Sequence, residues 1–286
     1  MELLIGICGA GTMGRGIALA ASMQGISVIL YDLNLAMLAR AASTIKEELN
    51  RAHEKNRISA EEKENQFRCI RFTNEITACQ APVIIEAIAE NTEAKSALFT
   101  ELAAINPVDT VYASNSSSLS ITKIAEQTLF PERIVGLHFF NPATRMKLVE
   151  IIRTKYTGDD IITRLQAFAI QLKKTPVICQ DTPGFIVNRV ARPYYLEALR
   201  IAEQQVADIE KIDKLMESAG FPMGPFHLMD LIGLDINYSV SCSVYEGLDK
   251  PARMKPSPLQ EDLVLQGFLG KKTGRGFFQY GKPANE

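Results

Sequence analysis

Short apolar runs rich in β-branched residues alternate with longer amphipathic segments over the first part of the chain. Each run has the length of a buried strand, and the segments between the runs repeat their apolar positions with a helical period. The pattern predicts strands at Leu3–Cys8, Ser27–Asp32, Pro82–Ala87, Thr110–Ala113, Arg133–Phe139, Lys147–Arg153 and Thr175–Cys179. It predicts helices at Met13–Met23, Leu35–Lys55, Thr92–Ile105 and Asp159–Lys174. Alternation of this kind indicates an α/β fold with a doubly wound, mainly parallel sheet.

The pattern changes near Thr182-Pro183-Gly184, where β-branched runs stop and amphipathic helical segments take over. We therefore predict two domains, one over residues 1–182 and an all-helical C-terminal domain over residues 183–286. The helices expected in the second domain are Phe185–Gln205, Val206–Ala219, Phe226–Val244 and Gln260–Gly267.

One connection in the first domain is unusually long. The segment from Leu33 to Ala81 far exceeds what a single crossover helix needs. Ser59-Ala60-Glu61-Glu62 has the form of a capping box, which opens a second helix after the long one. The sequence thus predicts an inserted helical hairpin, which is either inert or a lid.

Composition and charge narrow the classes of function. The chain has 31 Lys and Arg against 33 Asp and Glu, a balance that does not favour a nucleic-acid partner. No apolar run approaches the roughly 18–20 residues that span a bilayer, so we expect no membrane partner. Five scattered cysteines without a C-x-x-C pair argue against disulfides and against a metal site. An apolar strand pattern begins at Leu3 and leaves no room for a targeting peptide, so a cytoplasmic location is expected.

The segment Gly9-Ala10-Gly11-Thr12-Met13-Gly14 matches G-x-G-x-x-G between a predicted strand and a predicted helix. In that context Gly9 permits a tight turn, Gly11 lets the backbone approach a pyrophosphate, and Gly14 lets the helix pack closely on the sheet. Thr12 and Met13 open the helix, whose free N–H groups attract phosphate. The motif predicts a Rossmann-type dinucleotide site, against the alternatives of a ligand-free glycine turn or an FAD site.

The second strand ends at Asp32, with Leu33 and Asn34 after it. A carboxylate at this position accepts the ribose hydroxyls and repels a 2′-phosphate. Each like-charge contact at about 4 Å costs roughly 4 kcal/mol at an effective dielectric near 20. Because no basic residue stands beside Asp32, we expect the cofactor to be NAD and not NADP.

Further polar residues follow the predicted strands. Glu90-Asn91 comes after one strand and Ser114-Asn115-Ser116-Ser117-Ser118 after the next, and active sites of open α/β sheets lie at such strand ends. The alternative to an active-site role is that the serine run only forms a loop or caps a helix.

His138 and Glu150 each lie in an otherwise apolar run. If the two runs form an antiparallel hairpin centred at Thr144, these two residues are directly opposite each other. A buried Glu needs a partner, and a carboxylate-oriented His is a suitable base for oxidising an alcohol near neutral pH. The alternative is a purely structural ion pair.

Together these residues resemble the 3-hydroxyacyl-CoA dehydrogenase family, in the short monofunctional form that includes bacterial 3-hydroxybutyryl-CoA dehydrogenases. The resemblance covers essentially the whole chain. Its motifs are Gly9–Gly14, Glu86–Asn91, Ala113–Leu119, Gly136–Pro142, Met146–Glu150, Asp181–Arg189, Met223–Phe226 and Gly270–Phe277.

The resemblance implies a reversible, NAD-dependent oxidation of an L-3-hydroxyacyl-CoA to the 3-ketoacyl-CoA. His138 is then the general base and Glu150 orients it, while Ser117 and Asn188 hold the hydroxyl and the thioester carbonyl. The resemblance also implies that the C-terminal helical domain forms the interface of a homodimer. It assigns to the cofactor site, besides the glycine motif, the residues Asp32, Glu90, Lys95, Asn115, Ser117, Asn141 and Lys272.

The helical hairpin corresponds in this family to a clamp over coenzyme A. Lys55 matches the lysine that contacts the phosphates of coenzyme A. Arg51 lies one turn earlier on the same helix, where it either assists Lys55 or is a solvated surface charge.

Two other functions remain open at this point. One is an NAD-dependent dehydrogenase of a free hydroxy acid or sugar acid, since relatives on the same fold oxidise acids without coenzyme A. The other is a non-catalytic structural or binding protein that keeps the fold. The basic hairpin and Asn188 favour the thioester, and the presence of His138, Glu150 and Ser117 favours catalysis.

Overall fold

The structure, a computed structural model, describes residues 3–281 and contains two units that adjoin between Asp181 and Thr182. The N-terminal unit holds one sheet of eight strands in the order β3-β2-β1-β4-β5-β6-β7-β8. The strands are β1 Leu4–Cys8, β2 Ser27–Tyr31, β3 Ile70–Thr73, β4 Val83–Glu86, β5 Val111–Ser114, β6 Ile134–Phe139, β7 Leu148–Arg153 and β8 Thr175–Gln180. Their neighbours pair in parallel except for β6 and β7, which are antiparallel. The predicted α/β class with a doubly wound, mainly parallel sheet is confirmed.

Six helices accompany this sheet: α1 Thr12–Ser22, α2 Leu35–Glu54, α3 Ala60–Arg68, α4 Thr92–Ala103, α5 Ile121–Glu126 and α6 Asp159–Gln171. The core between sheet and helices is aliphatic, with Ile5, Ile7, Leu30 and Leu165 among its fully buried members. Parallel strands are covered on both faces, which is why β1 and β2 are apolar at nearly every position.

The inserted hairpin predicted between the second and third apolar runs is present as α2 and α3. Ser59 begins α3 with a complete capping box, because its Oγ accepts from the Glu62 N–H at 3.0 Å and the Glu62 carboxylate accepts from the Ser59 N–H at 2.7 Å. These two bonds satisfy backbone donors that the first helical turn leaves unpaired.

Strand β3 was not predicted. It has only four residues, includes exposed Arg71, and lies at the edge of the sheet, where β2 is its one neighbour. An edge strand of this kind lacks the apolar run that identifies a central strand. The short helix α5, which begins after the Ser120 cap, was also not predicted.

The C-terminal unit is helical, with α7 Val187–Glu203, α8 Ile209–Ser218, α9 Pro225–Ile232, α10 Leu234–Gly247 and α11 Pro258–Leu265. Its own core includes Leu196, Leu199, Phe226 and Met229. Buried Asp213 of α8 accepts hydrogen bonds from the Phe226 and His227 N–H groups at 2.9 Å each, and thereby caps α9.

The single helix predicted over Phe226–Val244 is wrong. Gly233 has a φ of 102°, which ends α9, and the Leu234 N–H turns away to donate to the Leu269 carbonyl at 3.2 Å. A left-handed backbone position breaks a helix, and glycine adopts it without strain.

Candidate active site

The glycine motif forms the turn between β1 and α1. Gly9 has a φ of 104°, and a Cβ there would lie 2.5 Å from the Ala87 carbonyl oxygen. A Cβ on Gly14 would lie 1.7 Å from the Gly9 carbonyl oxygen, so neither position tolerates a side chain. A Cβ on Gly11, in contrast, would meet no atom of the described residues within 4 Å. Gly11 therefore borders open space, as the approach of a ligand to the backbone requires.

The N-terminus of α1 has the electrostatics of an anion site. Gly11 is the cap residue and offers no side-chain acceptor, and no acidic residue lies in the first turn, which includes Thr12 and Met13. The first N–H groups of the helix and its positive dipole end are therefore available to a phosphate.

Asp32 follows β2 and is held by two backbone donors next to this turn. Its Oδ2 accepts from the Ala10 N–H at 2.8 Å, and its Oδ1 accepts from the Asn34 N–H at 2.9 Å. These bonds fix the carboxylate directly behind the glycine turn. Leu33 beside it is largely exposed, and Asn34 caps α2, so the local charge is negative.

A buried ion pair lies at the end of β4. The Lys95 Nζ of α4 is 2.5 Å from Glu86 Oε1, and both side chains are almost fully buried. The Ile88 N–H and the Ser114 hydroxyl also donate to Glu86, at 2.7 Å and 2.6 Å. Burial raises the pKa of Glu86, an effect that the ammonium of Lys95 partly offsets. Lys95 was assigned to the cofactor site by the resemblance, whereas Glu86 was given no role, although a charge at the end of an apolar strand was a signal for it.

Glu90 links this pair to the serine loop that follows β5. Its Oε2 is 3.3 Å from Lys95 Nζ, and its Oε1 accepts from the Ser117 N–H at 2.9 Å and from the Ser116 hydroxyl at 3.1 Å. The structure thus places Glu90, Lys95 and Ser117, which were singled out separately, in one cluster at the carboxyl end of the parallel strands.

His138 of β6 and Glu150 of β7 are directly opposite in the antiparallel ladder, as the spacing about Thr144 predicts. The His138 Nδ1 lies 2.7 Å from Glu150 Oε2, and the two residues are 5% and 0% exposed. A carboxylate acceptor takes this bond from an Nδ1–H, and in a neutral imidazole that tautomer leaves Nε2 as the nitrogen with acceptor character. This is the tautomer that a general base needs.

Two neighbours support the strand that carries His138. The Asn115 Oδ1 accepts from the Phe139 N–H at 2.9 Å, which ties the end of β5 to the end of β6. Beyond His138, Lys174 donates to the Ala143 and Met146 carbonyls at 2.5 Å and 2.9 Å and thereby holds the loop that begins near Asn141. Burial lowers the pKa of Lys174. The role of Lys174 was missed because nothing local in the sequence links it to this loop.

Cysteine chemistry is not favoured next to this pair. Cys179 of β8 is near Glu150, and burial together with the charges of Glu150 and Asp181 raises the pKa of Cys179 to about 12. At neutral pH this thiol is therefore neutral and weakly nucleophilic.

Four of the predicted site residues are not members of the cluster around His138 and Glu90, and two of these four belong to the C-terminal unit. Asn188 is on the first turn of α7, in the C-terminal unit. Lys272 is in that unit as well, paired with Asp235 at 2.6 Å. Lys55 follows the last residue of α2 and Arg51 precedes it by one turn, with Arg51 paired to exposed Glu47 at 3.2 Å.

The N-terminal unit fits NAD on its own features: an open glycine turn, uncapped helix N–H groups and an anchored carboxylate at the ribose position. No cluster of three or more metal-ligating side chains occurs in residues 3–281. The same stretch contains no helix both long and apolar enough to cross a bilayer.

Comparison with known proteins identifies close relatives. An Escherichia coli protein named 3-hydroxyadipyl-CoA dehydrogenase is 45% identical over 278 residues, which cover 96% of this chain and 58% of that protein. The chain thus spans less than two thirds of that relative's length. A Bacillus subtilis protein named probable 3-hydroxybutyryl-CoA dehydrogenase is 40% identical over 96% of both chains.

Solved structures give the same result. The crystal structure of (S)-3-hydroxybutyryl-CoA dehydrogenase from Ralstonia eutropha superposes with a TM-score of 0.93 at 34% identity and covers 99% of this chain and 100% of its own. The profile of the NAD-binding domain of 3-hydroxyacyl-CoA dehydrogenases matches residues 4–182, and the profile of their C-terminal domain matches residues 184–280. The chain therefore belongs to the 3-hydroxyacyl-CoA dehydrogenase family.

Proposed function

We propose that this protein catalyses the reversible oxidation of an L-3-hydroxyacyl-CoA to the 3-ketoacyl-CoA, with NAD as the hydride acceptor. The observation that carries the proposal is the 2.7 Å contact between His138 and Glu150, near the carboxyl end of β6 in the same sheet that carries the glycine turn and Asp32. Family membership supplies the reaction class, and this pair supplies the proton chemistry that the reaction needs.

In the proposed mechanism His138 accepts the proton of the 3-hydroxyl through Nε2 during oxidation and returns it during reduction. Glu150 keeps Nδ1 protonated and stabilises the positive charge that the ring acquires. Bound NAD supplies the hydride acceptor. Ser117 and Asn188 hold the substrate hydroxyl and the thioester carbonyl by hydrogen bonds, so that the hydroxyl proton lies within about 3 Å of the base.

The remaining residues are proposed to bind the two nucleotides. Gly11, Thr12 and Met13 contact the pyrophosphate of NAD and Asp32 its adenosine ribose, and Lys55 and Arg51 bind the phosphates of coenzyme A. The other residues proposed for the cofactor site are Gly9, Gly14, Glu90, Lys95, Asn115, Ser117, Asn141 and Lys272.

The test is a spectrophotometric assay of NADH oxidation with acetoacetyl-CoA. The wild-type protein should turn over this substrate, and His138→Gln should lower kcat by about 10²–10⁴ while NADH binding stays nearly intact. Half-buried His53 of the hairpin, whose Nδ1 is 3.1 Å from the Ile58 carbonyl oxygen, provides a control, because His53→Gln removes an imidazole that is not part of the cluster. A wild-type protein that does not oxidise NADH with this thioester contradicts the proposal.

A homodimer formed through the C-terminal unit is part of the proposal. That unit carries an apolar groove of about 720 Å³ lined by residues such as Val190, Tyr194, Phe221 and Leu228, and Val190 and Phe221 are exposed in the single chain. Monomers rarely expose such surface, which a second copy would cover. Light scattering after size-exclusion chromatography should give twice the chain mass of 31.6 kDa, and a monomer at micromolar concentration would contradict this.

A cytoplasmic location is also proposed. Buried Cys8 and Cys79 lie with their sulfur atoms 3.8 Å apart and unlinked, a state that suits a reducing compartment. The contact with Cys79 and burial raise the pKa of the Cys8 thiol, which keeps it neutral. Fractionation of the source cells should recover the enzyme with cytoplasmic markers.

A further inference from the structure

The loop that joins β6 to β7, residues 140–147, follows the strand of the base and leads to the strand of its partner carboxylate. The ring centroid of Phe140, the first loop residue, is 4.5 Å from that of His138. Ala143 in the middle of the loop is 2% exposed, whereas Asn141 and Met146 on either side are exposed. A loop with so much exposed chain has few buried apolar contacts, so its position depends on hydrogen bonds to neighbouring elements.

Lys174, the residue before β8, supplies such bonds. Its Nζ donates to the Ala143 carbonyl at 2.5 Å and to the Met146 carbonyl at 2.9 Å. The side chain is half-buried, so it gives up rotamer freedom and hydration that a solvated lysine would keep. The lowered pKa of Lys174 has this loss of hydration as its cause. The ammonium is therefore committed to the backbone of the loop.

The loop also approaches the helix that begins at the glycine turn. A Cβ on Gly16 of α1 would lie 3.4 Å from the Ala143 Cβ, so only about the width of one methyl group separates α1 from the loop. Ala143 thus faces α1 with its side chain and Lys174 with its carbonyl. The N-terminus of the same helix is the proposed site of the pyrophosphate.

The chemistry requires the nicotinamide ring of NAD to lie near His138. The hydride leaves the carbon that bears the substrate hydroxyl, and the base takes the proton of that hydroxyl. The ring and the imidazole must therefore each lie within about 3–3.5 Å of neighbouring substrate atoms. The loop begins two residues after His138 and contains Asn141, which is proposed for the cofactor site.

We propose that Lys174 is a positioning residue for hydride transfer, because its two hydrogen bonds fix the loop of residues 140–147 beside the nicotinamide half of NAD. The inference rests on the proposed function, since it takes His138 as the base and Asn141 as a cofactor residue. Lys174 acts through the loop backbone and not on the reacting atoms. Without it the loop samples several positions, which weakens the binding of the nicotinamide half but not that of the adenosine half at the glycine turn.

The experiment measures the dissociation constants of NADH and of ADP-ribose, which has the adenosine and pyrophosphate of NAD but no nicotinamide, by calorimetric titration. Lys174→Met should raise the Kd of NADH about tenfold, as the loss of charge-assisted hydrogen bonds predicts, and change the Kd of ADP-ribose less than twofold. Lys174→Arg keeps a charged donor and should restore most of the affinity for NADH. Lys173→Met is the matched control, because it changes the exposed neighbouring lysine, and it should leave both constants as in the wild type.

Turnover gives a second readout. At saturating NADH, Lys174→Met should lower kcat with acetoacetyl-CoA about ten- to hundredfold, as expected when a reacting group is misplaced by about 1 Å. The KM for acetoacetyl-CoA should change less than threefold, because the loop is not proposed to bind the thioester. A variant with a merely weakened fold would not separate kcat from KM in this way.

Each outcome decides one point. Equal losses of affinity for NADH and ADP-ribose, or an unchanged kcat, overturn the inference. If Lys174→Met does not fold, Lys174→Gln, which keeps N–H donors on a shorter side chain, is measured in the same way. Failure of both variants to fold assigns Lys174 to the stability of the unit and also overturns the inference. A wild-type protein that reduces acetoacetyl-CoA, with a Lys174→Met variant that binds and turns over like it, refutes only the role of Lys174.

Discussion

The contact between His138 and Glu150 determines which ring nitrogen can act as a base. Because Glu150 is fully buried and accepts a hydrogen bond from the His138 Nδ1–H, the imidazole is held in one tautomer and one orientation. The two side chains should therefore act as one catalytic unit. Their facing positions were predictable from two apolar runs centred on Thr144, since the period of a strand fixes which residues are opposite.

The first prediction at this scale concerns Glu150→Gln. The amide keeps the size of the side chain but removes the negative charge, so it should lower kcat at least tenfold with little change in the dissociation constant of NADH. The loss in the double variant with His138→Gln should be far smaller than the sum of the two single losses in free energy. The measurement is kcat with acetoacetyl-CoA for all four proteins. Normal turnover of Glu150→Gln, or additive losses, would assign Glu150 a merely structural role.

The second prediction concerns Asp32 and the choice of cofactor. The carboxylate, anchored by the Ala10 and Asn34 N–H groups, should favour NADH over NADPH strongly in kcat/KM because it repels a 2′-phosphate. Asp32→Ala should bring the kcat/KM values for NADH and NADPH closer together, because it weakens NADH binding and removes the repulsion of the 2′-phosphate of NADPH. Asp109→Ala, an exposed acid elsewhere in the same unit, serves as the control. Equal use of both cofactors by the wild type would contradict the role of Asp32.

At the scale of elements, sequence patterns succeeded where a local rule decides the structure. The capping box of α3 follows from Ser59 and Glu62 alone, and the buried strands follow from uninterrupted apolar runs. The failures are elements that depend on distant contacts. Strand β3 forms because β2 offers an unpaired edge, and the break between α9 and α10 forms where Leu234 bonds to Leu269.

The hairpin of α2 and α3 carries the third prediction. If Lys55 binds the nucleotide phosphates of coenzyme A, Lys55→Ala should raise the KM for acetoacetyl-CoA about tenfold, because a charge-assisted contact is worth roughly 1.5–3 kcal/mol. The KM for the truncated acetoacetyl-pantetheine thioester should hardly change. Lys63→Ala, on α3 of the same hairpin, is the control. Equal effects on both substrates would mean that Lys55 supports the fold and not the clamp.

At the scale of the whole molecule, the proposed site residues are divided between two units, each of which has its own hydrophobic core. The residues predicted from sequence are those that follow strands or belong to motifs. Lys174 escaped prediction because its importance comes from the carbonyls of Ala143 and Met146, which are distant from it in the sequence.

The division of the site residues between the two units predicts which unit the cofactor stabilises. All but one of the residues proposed to bind NAD belong to the N-terminal unit, so NADH should stabilise that unit specifically. At a concentration of 100 times its dissociation constant, a ligand that binds only the folded state adds about 2.7 kcal/mol. For a unit of this size the added free energy corresponds to a rise in Tm of about 5–10 °C. Asp32→Ala should show a smaller rise at the same NADH concentration. Hydrogen exchange should place the protection at the turn between β1 and α1 and leave α8 unchanged, whereas protection centred on α8 would show that the cofactor binds elsewhere.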